Sequence, residues 1–120
     1  MDHVNNDRRL ISSDLVEGTT VYSPNGDNIG SINHLMIEKV SGKVAYAVIG
    51  FGGLLGMGES HHPVPWSSLK YDTRLDGYVT GITGDQLRNA PEFSNNAWGD
   101  PAYEDRVHKH YGVAPYYGAI

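Results

Sequence analysis

The 120-residue sequence contains no cysteine, which excludes disulfides and thiolate metal sites and leaves the redox compartment undetermined. It has no apolar run near the roughly 18 residues that a membrane-spanning helix requires. The polar start, Met1 to Arg9, has no apolar core and is not a secretory signal. The expectation is a soluble, cytoplasmic protein with no transmembrane segment. Basic residues are also few. Nine Lys and Arg stand against 14 Asp and Glu, for a formal charge of -5, and only Arg8 and Arg9 are adjacent. A general nucleic-acid binder needs a clustered basic footprint, so no nucleic-acid partner is expected. The length allows one domain of about 100 residues plus a tail, with a modest core.

What is present is β-rich and glycine-punctuated. Leu10 to Gly18 carries an Asp14-Leu15-Val16 step that can form one helical turn. Thr19-Thr20-Val21-Tyr22 is β-branched and aromatic and reads as a strand. Pro24-Asn25-Gly26-Asp27 is a tight turn in which Asn-Gly tolerates positive φ. From Asn28 to Lys39 the apolar parity breaks, since Ile29 and Ile32 differ in parity and so do Leu35 and Met36. A β-bulge near Asn33-His34 restores one inner face. After a Ser41-Gly42 turn, Val44 to Phe51 is apolar on both parities: Val44, Tyr46 and Val48 on one face, Ala45, Ala47, Ile49 and Phe51 on the other. Such a strand must be covered on both sides, one side by a barrel interior and the other by a tail, a second subunit or another protein. Leu69 to Asp72 and Tyr78 to Thr80 read as the last strands, joined through Asp76-Gly77. Thr83 to Gln86 fits a capping box, and Pro91 stops the turn that follows.

Beyond Pro91 the composition changes. Asp100-Pro101 is an N-cap with proline at the first helical position, and Ala102 to Tyr111 forms a helix ended by Gly112. Tyr103, Val107 and Tyr111 share one stripe. Leaving that stripe in water would waste apolar area worth about 25 cal/mol per Å², so the tail is expected to dock. The organisation read from the sequence is a disordered stretch over 1–9, a barrel-like domain over 10–90, and a C-terminal extension over 91–120 with a short helix near 100–111.

The order of these signals resembles the PRC-barrel family. The resemblance is carried by Ser13 to Tyr22, Asn25 to Ile32, Ser41 to Val48, the glycine loop Gly52-Gly53-Leu54-Leu55-Gly56-Met57-Gly58, and Val64-Pro65-Trp66-Ser67-Ser68-Leu69-Lys70-Tyr71-Asp72. It covers about residues 10 to 90. It implies an all-β fold, a small antiparallel barrel of the kind found in the photosynthetic reaction-centre H subunit and in a bacterial ribosome-maturation factor, here with a helical C-terminal extension. It also implies docking or assembly roles. Lacking the membrane helix of the first and the extra domain of the second, the chain is expected to be a stand-alone member to which neither role transfers.

Candidate chemistry is sparse. The glycine loop is followed by Pro63 and Pro65 and not by the helix a dinucleotide fingerprint requires, and its side chains Leu54, Leu55 and Met57 offer no phosphate donor. An exposed apolar loop tip suits a contact surface better. His61 and His62 are adjacent on a strand and His108 and His110 are two apart on a helix, so neither pair converges on an ion. His34 stands alone. Ser60, His61 or His62 and Asp72 make a triad only on paper, with no nucleophile elbow around any serine. Glu104-Asp105 reads as a solvated helix face. Trp66 suits barrel closure and Trp98 suits anchoring of the tail.

The reading is a non-catalytic module that self-associates, as a homodimer, or docks on a partner complex, with no cofactor and no metal. Its expected contact residues are Ala45, Ala47, Ile49, Phe51, Leu54, Leu55, Met57, Tyr103, Val107 and Tyr111. The alternatives are a small-ligand-binding or hydrolytic protein using the His61-His62 edge, and a peripheral accessory to a photosynthetic or respiratory membrane complex.

Overall fold

The computed structural model describes residues 9–52 and 59–117. The expected disorder at the N-terminus and the expected contact residues Leu54, Leu55 and Met57 lie outside the described residues, except for Arg9. A single helical turn, α1 (Ser13–Val16), leads into β1 (Thr20–Tyr22). The chain reverses at Gly26, where φ is +87° and the amide donates to the Ser23 carbonyl over 2.9 Å. It then runs out along β2 (Asn28–Ile37) and back along β3 (Val44–Gly52). In the ladder between them Ile32 faces Ile49 while His34 faces Val48, which leaves Asn33 as the extra residue. The bulge therefore sits where the apolar parity breaks. Gly30 is required by close approach: at φ +150° a Cβ there would lie 2.4 Å from the Gly50 carbonyl oxygen and 2.9 Å from Ile49 Cγ2.

β4 (Glu59–Pro65) pairs antiparallel with β3. A 3-10 turn, Trp66–Ser68, then leads to β5 (Leu69–Asp72), which turns into β6 (Gly77–Thr80). α2 (Gly84–Arg88) opens on the Thr83–Gln86 capping box. A second 3-10 turn, Asn95–Gly99, precedes α3 (Pro101–Tyr111), which starts on the Asp100 side chain and stops at Gly112 in the left-handed conformation.

The sheet order is β4-β3-β2-β1-β6-β5. It is mixed, and this corrects the expectation of an all-β, wholly antiparallel barrel. β1 and β6 run parallel, with Val21 opposite Tyr78 and Tyr22 opposite Val79. The reason is the link from β4 to β5, which passes through the 3-10 turn and is not a hairpin, so the β5–β6 ribbon joins the far side of β1. The result is a curled half-barrel of six strands with β4 and β5 at its two edges and three short helices among the described residues.

Val21, Ile29, Ile32, Ala47, Ile49, Val64 and Leu87 belong to the buried core, all at 6% exposure or less. Both faces of β3 are buried, Ala45, Ala47 and Ile49 as well as Tyr46 and Val48. A strand apolar on both parities needs two covers. Around Tyr46 the second is the chain's own C-terminal segment: the Trp98 ring lies 5.1 Å from the Tyr46 ring and the Tyr116 ring 5.7 Å from it.

Candidate interaction surface

The C-terminal segment is held to the sheet by a polar cluster on Tyr46. Its hydroxyl donates to Glu104 Oε1 over 2.7 Å and lies 2.8 Å from His108 Nε2. The Tyr116 hydroxyl donates to the same Glu104 oxygen over 3.0 Å, and His108 Nδ1 lies 3.1 Å from the Val113 carbonyl. A phenol has one proton, and here Glu104 receives it. Tyr46 thus bridges Glu104 and His108, two side chains of α3, and ties both to β3. Burial, followed by the bond to Glu104 and its charge, pushes the Tyr46 phenol far above the usual tyrosine range.

This corrects the reading of Glu104 as part of a solvated face. Glu104 and His108 are four apart on α3 and so lie on one side of it, next to the stripe of Tyr103, Val107 and Tyr111. That spacing was the available signal. Its partner Tyr46 lies 58 residues away, and local sequence gives no hint of that pairing. The three stripe residues are themselves buried. Tyr103 donates to the Glu92 carbonyl over 2.6 Å and meets Trp98 edge-on at 5.1 Å, which makes Trp98 the hub between tail and sheet. Trp66 is partly buried against the core, 5.4 Å from Tyr78.

At the His61-His62 edge the buried imidazole is turned inward. His62 is 2% exposed. Its Nδ1 lies 3.1 Å from the Ala90 carbonyl and its Nε2 lies 3.1 Å from Ser60 Oγ. The Ser60–His62 contact resembles half of a hydrolytic dyad, and the contact of the other ring nitrogen with the Ala90 carbonyl fastens residues 90–91 to β4. The Phe93 amide adds a bond to the His61 carbonyl over 2.6 Å. His34 packs edge-on against Phe93 at 4.8 Å, and burial, then the neighbouring His61, lowers its pKa below the usual histidine value. Among the described residues no three His, Asp or Glu side chains are grouped to hold a metal ion. An open cleft of about 530 Å³ lies between residues 89–92 and α3, with Arg106, Lys109 and His110 along it.

The expected contact residues divide accordingly. Ala45, Ala47 and Ile49 are buried inside one chain, and Tyr103, Val107 and Tyr111 are buried between tail and sheet. Phe51 is half-buried, with the Arg88 guanidinium 5.1 Å above its ring. The apolar side chains that do face water are others: Leu10, Ile11 and Leu15 at 81%, 54% and 60% exposure, Ile37 and Val40 at the β2–β3 turn, Tyr71 and Leu75 at the β5–β6 end, and Tyr116 and Tyr117 in the tail. Sequence reasoning passed over them because a few apolar residues around a turn carry no periodic signal.

An uncharacterized protein of Deinococcus radiodurans is 27% identical over 90 residues, which is 75% of this chain and 30% of that protein. The chain thus spans under a third of the length of that relative. The 16S ribosomal RNA processing protein RimM from Pseudomonas aeruginosa, a solved structure, superposes with a TM-score of 0.42 at 14% identity, over 66% of this chain and 48% of that one. The PRC-barrel domain model matches residues 9–87. That match takes in the whole sheet and α1 and reaches into α2, and the chain belongs to the PRC-barrel domain family.

Proposed function

We propose that this chain is a non-catalytic interaction and assembly module that acts in the cytoplasm, by self-association or by docking on a partner complex. The carrying observation is the apolar stretch at its N-terminal edge, where Leu10, Ile11 and Leu15 stand in water within six residues. Large side chains clustered in this way mark contact sites, since each would release apolar area from water on binding. The buried polar groups support the same reading. His62, His108, Tyr46 and Tyr103 use their hydrogen bonds to fasten the chain to itself. None of the described helices is long and apolar enough to cross a membrane.

Chemical cross-linking in the native cell, followed by purification of the tagged chain, tests the proposal. The wild type should give one or more discrete cross-linked products, and the Leu10→Ser, Leu15→Ser double variant should lose at least one of them with its melting temperature unchanged. Identical products from both would remove the N-terminal stretch as a contact. Turnover of a small substrate that is abolished by His62→Ala would overturn the non-catalytic reading.

A further inference from the structure

The two edges of the half-barrel are built differently. On β4 the outward positions are closed. Pro63 and Pro65 stand opposite Val48 and Tyr46 and have no amide to offer, and the Phe93 amide binds the His61 carbonyl. Prolines placed this way block edge pairing. β5 has neither device. Its sequence is Leu69-Lys70-Tyr71-Asp72, and among the described residues it pairs only with β6. Lys70 and Tyr71 are exposed.

We propose that β5 is a self-pairing edge that joins two copies of this chain through an antiparallel β5–β5 ladder about a two-fold axis at Tyr71. This rests on the reading of the chain as an assembly module and names its partner. The charge pattern selects the register. With Tyr71 opposite Tyr71, Lys70 of each copy faces Asp72 of the other, giving two opposite-charge pairs on one face of the joined sheet. With the axis at Lys70, two ammonium groups would face each other. Tyr71 is prearranged for the centre: its ring packs edge-on against Tyr78 at 5.4 Å and its hydroxyl donates to Asp76. Asp72 is held in place as well, its Oδ1 accepting from the Arg74 and Leu75 amides over 2.9 and 3.2 Å. A four-residue ladder buries little area compared with a standard interface, so the dimer is weak and depends on concentration, and added salt weakens it further.

Sedimentation velocity over micromolar to millimolar concentrations tests this. The wild type should move from monomer to dimer, and Lys70→Glu, which sets a second carboxylate opposite Asp72, should remain monomeric at the same melting temperature. Asp72→Lys should also remain monomeric, at a lower melting temperature because its bonds from the Arg74 and Leu75 amides are lost, while an equimolar mixture of the two variants should recover the dimer, because every carboxylate at the ladder then meets a lysine. As a check that needs no variant, amide shifts of residues 69–72 should change on dilution of the wild type. A wild-type monomer at millimolar concentration overturns the proposal, and so does a Lys70→Glu variant that dimerises normally. If the cross-linked products that depend on Leu10 and Leu15 persist in that monomer, the assembly reading stands and β5 alone is wrong.

Discussion

Replacing Tyr46 by Phe removes one hydroxyl and leaves two groups without their partner. Glu104 keeps only the Tyr116 hydroxyl, and His108 Nε2 then faces a ring edge. His108 is buried and cannot turn to water, whereas Glu104 is half-buried and keeps part of its hydration, so the cost is about 1–2 kcal/mol. Urea denaturation of Tyr46→Phe should show that loss. Glu104→Gln should cost less, since the amide oxygen still accepts from Tyr46 and only the charge is lost. Equal losses for the two would mean that the charge on Glu104, and not the Tyr46 hydroxyl itself, holds the tail. Phe fills almost the volume of Tyr, so the contacts with Trp98 persist and the effect reports the hydroxyl.

Among the elements, the β2 bulge, the capping box of α2 and the proline-started α3 were legible because each is written in neighbouring residues: a parity break at Asn33, Thr83 with Gln86, and Asp100 with Pro101. The parallel β1–β6 pair was not. Strands of three and four residues carry no information about direction, and the partner of β1 is chosen by how the β5–β6 ribbon packs on the core. The docking of the tail could be read from its stripe, but its clasp could not, because Glu104 pairs across 58 residues. The clasp makes the tail sensitive to alkali. Tyr103 is raised to about 12 by burial, against an opposing Arg106, and Tyr116 to about 12 by burial and then its bond to Glu104. Tyr117 reaches about 12 chiefly through its bond to Asp105. In an unfolded chain each ionises near 10. The stabilisation is therefore complete below about pH 10 and is lost as pH rises from about 10 towards 12. Tyrosinate absorbance should rise together with a change in Trp98 fluorescence in a Trp66→Phe background. Ionisation of all tyrosines near pH 10 with no change in the Trp98 signal would show that the tail is not held through its phenols.

At the scale of the whole molecule, the matched PRC-barrel domain ends at residue 87, yet the outer face of β3 is finished by residues beyond it. Tyr46 is 1% exposed because Trp98, His108 and Tyr116 lie against it. Truncation at Pro91 takes this cover away while leaving the inner core of Val21, Ile32, Ile49, Val64 and Leu87 in place. Each large apolar side chain returned to water loses about 1.5–3 kcal/mol, and Tyr46 and the residues it touches are the first to lose it. The shortened chain should melt at a lower temperature. It should also associate through the exposed β3 face, a surface distinct from the β5 edge. The two modes separate by salt and by charge: association through β3 is apolar, persists in high salt and survives Lys70→Glu, whereas pairing through β5 does neither. Light scattering of the truncated Lys70→Glu chain should therefore still show mass above the monomer. A monomer with an unchanged melting temperature would mean that residues 92–120 stabilise nothing, and that β3 tolerates water on its outer face.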